Sequence, residues 1–249
     1  MPTLVFTPRY TDDSQALWKE AARRGWTTER LTTWRVPAHL KDLPDAVLYG
    51  EALFGPTLAD ELGLVLANPP EDWLVRLPHE YKRREIALTT MDAARASPEA
   101  RFVKPPNDKS FPAGVYRGAA LPAEYPGDMP VLVSDVVRWE KEFRCFVLGR
   151  ELKTFSIYSR FGELQRDGGF ASTAEEDLAM RGFVDALLAD ERVDLPHATV
   201  VDVGSIEGLG WACVEQNAAW GAGIYGCDPG AVLEVLRGAS TRRRAHPSS

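Results

Sequence analysis

Between Leu4 and Leu66, short apolar runs alternate with segments of helical spacing. Leu4-Val5-Phe6-Thr7, Ala46-Val47-Leu48-Tyr49 and Leu64-Val65-Leu66 are compact apolar runs and read as strands. Asp13 to Arg24 places Leu17 and Ala21 on one helical face with Gly25 as its stop, and Pro56 to Leu62 reads as a second, short helix. Strands alternating with helices predict a small parallel α/β unit. Asn68-Pro69-Pro70 closes it, since paired prolines end ladders and helices alike. From about His79 to Ala96 the spacing is helical, with a break near Thr90.

The pattern then changes. Arg101 to Lys104, Val131 to Val133, Glu142 to Leu148 and Glu151 to Tyr158 read as strands, the last two joined by Leu148-Gly149-Arg150-Glu151 as a tight type II′ hairpin. Thr173-Ala174-Glu175-Glu176 is a capping box opening a helix to about Leu188. Thr199 to Ile206 and Trp211 to Asn217 form a second hairpin, and Asp228-Pro229 starts a last helix ending near Gly238. No internal repeat is visible. The expected organisation is an α/β (α+β) chain: residues 1–72 a small α/β domain, 73–238 a larger mixed region, and 239–249 a disordered tail.

The second hairpin carries the chemistry. With Glu207-Gly208-Leu209-Gly210 as the loop, Ile206 faces Trp211 and Asp202 lies opposite Glu215. Opposed like charges destabilise a hairpin, so a cation is expected between them. Asn217 shares the face and offers a third oxygen, a hard donor set suited to Mg²⁺; Gly204 and Cys213 are expected on the same face, leaving room. Basic groups complete the picture. Lys104 ends a strand and leads into the polar loop Pro105 to Gly114, which contains Lys109. The first hairpin, paired Leu148 to Glu151, puts Glu142, Arg144 and Lys153 on one face. Carboxylates for a metal beside Lys and Arg for phosphate oxygens suit phosphoryl transfer without a P-loop.

The stretch GAGIYG, Gly221 to Gly226, is a literal G-x-G-x-x-G. Only the last helix and a Ser-, Arg- and Pro-rich tail follow it, so no second strand completes a dinucleotide-binding unit.

Composition narrows the classes. An apolar fraction of 45% and a charged fraction of 26% are those of a globular protein, and a net charge of -7 argues against broad nucleic-acid binding. Arg242-Arg243-Arg244 reads as a solvated end. No apolar run approaches the ~18 residues of a membrane span, and MPTLVFTPRY lacks a signal peptide's features, so a cytoplasmic location is expected. Cys145, Cys213 and Cys227 form no C-x-x-C pair and read as inert thiols.

RFVKPPNDKSFPAG, VLVSDVVRWEKEFRCFVLG, TVVDVG and CVEQNAAWGAGIYG, in that order, resemble the ATP-grasp superfamily and in particular a compact clade of it, over about Trp73 to Leu236. The early α/β unit resembles the domain that precedes the grasp in such enzymes. The resemblance implies ATP and Mg²⁺ as cofactors, with Asp202, Glu215 and Asn217 as metal ligands. It further implies Lys104 on the α- and β-phosphates, the loop containing Lys109 over the nucleotide, and Ser134, Asp135, Val136 and Val137 as the adenine-reading hinge. Glu142 would meet the ribose, Arg144 a phosphate or acyl phosphate, and one of Lys82, Arg83 and Arg84 would be the upstream cation; Lys153 is grouped with the nucleotide-binding residues. The implied activity is a ligase that joins a small-molecule or peptide carboxylate to an amine through an acyl phosphate. A phosphotransferase on the same scaffold and a non-catalytic nucleotide-binding module remain the alternatives.

Overall fold

A computed structural model describes residues 1–41, 43–107 and 109–243; Asp108 of the loop after Lys104 and the end of the predicted tail, 244–249, lie outside the described residues. Strand β1 (Thr3–Phe6) is followed by α1 (Asp12–Arg23), β2 (Thr27–Arg30) and β3 (Ala46–Tyr49), and the three strands form a parallel sheet in the order β2-β1-β3. Thr11 and Ser14 close a reciprocal capping box at the start of α1. Thr27–Arg30 is a strand that the sequence does not announce: its residues are mostly polar, and parallel pairing to β1 rather than apolar pattern makes it extended.

After α2 (Gly55–Leu62) comes β4 (Leu64–Leu66), expected within the parallel unit. It pairs instead with the last strand, antiparallel, in a separate two-stranded sheet. The tail therefore begins later than residue 239, because Ser240 to Arg242 are ordered by that pairing.

Two short helices, α3 (Trp73–Arg76) and α4 (His79–Lys82), lead to β5 (Ile86–Thr90) and α5 (Met91–Arg95). The helix expected over His79 to Ala96 is thus interrupted by a full strand. With β6 (Arg101–Lys104), β7 (Gly114–Tyr116) and β8 (Pro130–Ser134), that strand builds a four-stranded sheet in the order β5-β8-β6-β7. Met91, Val103, Phe111 and Val131 form its small core.

The largest sheet is antiparallel and five-stranded. Its strands are β9 (Trp139–Leu148), β10 (Glu151–Arg160), β11 (Glu163–Leu164), β12 (Ala198–Ile206) and β13 (Gly210–Asn217), in the order β11-β10-β9-β12-β13, with α6 (Ala174–Ala189) between β11 and β12 in the chain. Helix α7 (Pro229–Ala239) and β14 (Ser240–Arg242) end the described chain. One sheet face carries Phe143, Cys145, Val147, Val201 and Val203 against Met180, Val184 and Leu187 of α6. The other carries Phe146 and Val200 into a core shared with α7 and with Leu4, Phe6 and Leu17 of the N-terminal unit. Continuous burial between the N-terminal sheet and the large sheet fixes one against the other, since the shared apolar area must stay out of water.

Gly149 and Arg150 both have positive φ, 58° and 63°. Two positive values define a type I′ turn, not the type II′ turn the sequence suggested.

Candidate functional site

Arg144 on β9 is the register partner of Asp202 on β12, which faces Glu215 on β13. The expected opposition of the two acids is present, but it is reached differently. Near the loop Ile206 pairs with Gly210 and Val203 with Cys213, one residue out of the expected register; a bulge at Val214 then sets Asp202 opposite Glu215. Cys213 consequently leaves the acid face and packs in the core beside Phe143 and Val203.

Asp202 is fully buried. Its Oδ1 accepts from Arg144 Nε at 2.9 Å and its Oδ2 from Arg144 Nη2 at 2.6 Å, a bidentate pair. Asn217 Nδ2 bridges the acids, donating to Asp202 Oδ2 at 3.1 Å and Glu215 Oε1 at 3.0 Å. Lys104 Nζ donates to Glu215 Oε2, linking the four-stranded sheet to the five-stranded one. Burial pushes the Asp202 carboxyl up to about 6 against the pull of Arg144. For Glu215, burial works upward too, but Lys104 and Asn217 outweigh it and hold the carboxyl down at about 2. Burial alone would lower Arg144; Asp202 overcomes it and keeps the guanidinium above its ordinary value. Both acids are therefore ionised at neutral pH, each against its own cation.

Tyr158 and Tyr225 wall this cluster, and no sequence signal singles them out. Their rings stack with centroids 5.2 Å apart, the Arg144 guanidinium lies 4.7 Å from the Tyr225 centroid and 5.5 Å from that of Tyr158, and Tyr158 donates to Glu142. Tyr158 falls at a register shift of β10, where alternation stops predicting direction. Asp13, equally unmarked, accepts from the Ile224 N–H at 3.0 Å, a contact between residues distant in sequence.

Other expected residues lie elsewhere. Lys153 is displaced by a second bulge, between Leu152 and Thr154, and pairs with Glu151 at 2.6 Å; it does not share the face of Arg144. Lys109 is exposed in its loop, apart from the acid pair. Ser134, Asp135, Val136 and Val137 form the connection between the four- and five-stranded sheets, as a hinge requires; Asp135 is tied to Glu85 N–H and Arg101 and Val136 is exposed. Of the three upstream cations, Lys82 donates to Val75 O and Arg83 to Glu80 O, away from the acids. Arg84 is buried and donates to the carbonyls of Cys213 at 2.9 Å and Val214 at 3.3 Å, gripping the bulge itself.

The crevice between the two sheets is lined by Trp73, Lys104, Leu132, Glu215 and Gln216 and encloses about 10 Å³. That holds one water at most. Among the described residues no three His, Cys, Asp or Glu side chains converge as a metal set. The donors present still fit a hard divalent cation of low protein coordination: two carboxylates and an amide, all oxygen, charge-balanced now by groups a cation would replace. Asn217 would present its oxygen after a half-turn of the amide. The remaining ligands would have to come from water and phosphate, as is usual for Mg²⁺.

Solved structures share this arrangement of sheets. A RimK domain ATP-grasp protein from Sphaerobacter thermophilus superimposes with a TM-score of 0.57 at 15% identity, over 95% of this chain and 99% of that one. The D-alanine–D-alanine ligase of Bacillus anthracis gives 0.53 at 12% identity, over 96% and 97% of the two chains. The ATP-grasp ligase PsnB, in complex with a minimal precursor, gives 0.53 at 14%, over 94% and 98%. These likenesses define the fold class. Residues 81–235 match the family model described as an ATP-grasp domain, clade family 2, and the chain belongs to that ATP-grasp family. A sequence comparison with curated proteins finds no match.

Proposed function

We propose that this protein is a Mg-ATP-dependent ligase that joins a carboxylate to an amine through an acyl phosphate. The observation that carries the reading is the convergence of Lys104, Arg144, Asp202, Glu215 and Asn217 where the two sheets of an ATP-grasp fold meet. Relatives of the fold solved with Mg and ADP or with ATP, namely PsnB and the D-alanine–D-alanine ligase, support the choice of nucleotide.

Glu215, Asn217 and Asp202 would hold the Mg²⁺, which when bound neutralises phosphate charge and polarises the phosphorus centre. Lys104 and Arg144 supply fixed positive charge in a low-dielectric site, where it acts on charge developing during transfer. A substrate carboxylate oxygen bonds to the γ-phosphorus as the bond to the ADP oxygen breaks. An amine nitrogen then bonds to the acyl carbon, inorganic phosphate leaves with its electron pair, and the amine proton passes to that phosphate. No side-chain nucleophile is required, in keeping with three buried cysteines. Because the inter-sheet crevice is nearly filled, nucleotide entry needs the Lys104–Glu215 link to part.

The test is titration of Mg-ATP into the wild type, Asp202→Asn and Glu215→Gln, with thermal unfolding as the fold control. Mg-dependent ATP binding is expected in the wild type and lost in both folded variants. Unchanged ATP affinity in the variants would sink the assignment. Product analysis with ATP then separates an amide-forming ligase from a kinase, which leaves only a phosphorylated acceptor.

A further inference from the structure

A second cavity, of about 190 Å³, opens at the carboxyl ends of β1 and β3 beside the start of α1. Arg9, Asp13, Tyr49, Glu51, Gly221 and Gly223 are among its walls, and it shares no lining residue with the inter-sheet crevice. Open parallel sheets bind ligands at the carboxyl ends of their strands, where the loops diverge and leave a hollow.

We infer that this cavity is the site of the amine substrate and that its ligand is a free α-amino acid. The assignment as acceptor rests on the ligase reading; the ligand chemistry rests on the walls. Glu51 Oε2 is buried and accepts from no donor among the described residues, and a buried unpaired acceptor is destabilising unless a ligand completes it. Asp13 lines the same space with one oxygen committed to Ile224 N–H, its carboxyl raised by burial. An ammonium group, with three donors and a positive charge, satisfies both acids. Arg9 is the cationic wall residue and matches a ligand carboxylate, so the charges are those of a zwitterion. The volume corresponds to roughly six waters and lies below the range of larger organic ligands, which favours one amino acid over a peptide.

The cavity also adjoins the acid pair. Gly223 forms part of its wall, and a β-carbon there would stand 3.2 Å from Asp13 Oδ2 and 3.6 Å from Arg144 Nη1. Arg144 donates to Gly223 O at 2.9 Å while pairing with Asp202. One backbone residue thus separates the ammonium site from the guanidinium proposed to meet the acyl phosphate. The glycines of GAGIYG keep this wall thin, which gives the motif a role that has nothing to do with a dinucleotide.

The experiment is ligand-observed NMR titration of the full chain with each common L-amino acid and with its N-acetyl counterpart, with Mg-ATP binding measured separately on the same samples. At least one amino acid is expected to bind about ten-fold or more tightly than its N-acetyl form, which lacks the ammonium, and Glu51→Gln and Asp13→Asn are each expected to weaken it about ten-fold. If no amino acid binds while Mg-ATP does, or if N-acetyl forms bind equally well, the inference is overturned and the ligase reading stands. If amino acids bind as described and Mg-ATP does not, the site stands and the ligase reading falls.

Discussion

Replacing Arg84 with Met is expected to loosen the bulge on which the acid pair depends. Arg84 Nη1 donates to Cys213 O and Nη2 to Val214 O, and the guanidinium lies 5.0 Å from the Trp139 ring centroid. Each hydrogen bond from a charged donor is worth about 1.5–3 kcal/mol, the longer one at the low end, and the ring contact about 1 kcal/mol. Against them stands the burial of a cation, which lowers the guanidinium to about 10 and amounts to about 3 kcal/mol at 1.36 kcal/mol per tenfold change in acidity. Met restores most of the apolar volume but neither donor. The net expectation is a loss of about 2 kcal/mol, or roughly 4–8 °C in Tm for a chain of this size. Urea unfolding of the two proteins measures it, and amide hydrogen exchange at Val214 and Glu215 should speed up because the bulge carbonyls lose their anchor. A midpoint at or above that of the wild type would refute the strut argument and mean that burying the charge outweighs what it holds.

The fastening of α6 should be sensitive to acid. Arg160 above all, then Thr173 N–H and Lys141, hold the Glu176 carboxyl well below the usual carboxylate range, so its stabilisation is present above the unfolded value near 4.5 and fades as pH falls below it. Glu176→Gln should lower stability by about 1–2 kcal/mol at pH 7 and by much less at pH 3; an equal loss at both pH values contradicts the ionic reading. Cys145, Cys213 and Cys227 are all buried, and burial raises each thiol, Cys227 to about 12. A thiol reagent at pH 8 should therefore label the native protein slowly and label all three thiols on unfolding, whereas rapid labelling of the folded form contradicts their inertness. Lys104→Met should raise the Glu215 carboxyl from about 2, because the cation that outweighs burial is gone; a Glu215 pKa by carbon-detected NMR that stays put shows that Asn217 suffices.

Much of the architecture could be read from residue patterns because it is locally determined. Ala46 to Tyr49 is a continuous apolar run and forms β3 at those bounds, and Thr173 with Glu176 caps α6 as the spacing dictates. What escaped is what tertiary pairing decides: polar Thr27–Arg30 is extended because β1 lies beside it, and Ile86–Thr90 is extended because β8 pairs with it in spite of neighbours spaced like a helix. The site shows the same division more sharply. Alternation assigns faces correctly only within an uninterrupted ladder, since one extra residue reverses every side chain beyond it. Glu142 and Arg144 share such a stretch on β9, as do Asp202 and Gly204 on β12, and all keep their expected face. Lys153 and Cys213 sit beside bulges and lose it, while Tyr158 is placed near Arg144 by another register shift. The opposition of Asp202 and Glu215 was reached from a loop register that is one residue off, and the bulge at Val214 cancels the offset. Nothing in the spacing of polar and apolar residues marks Val214 as the extra residue; its physical marker is Arg84, 130 positions away, whose guanidinium holds the carbonyls that the bulge exposes.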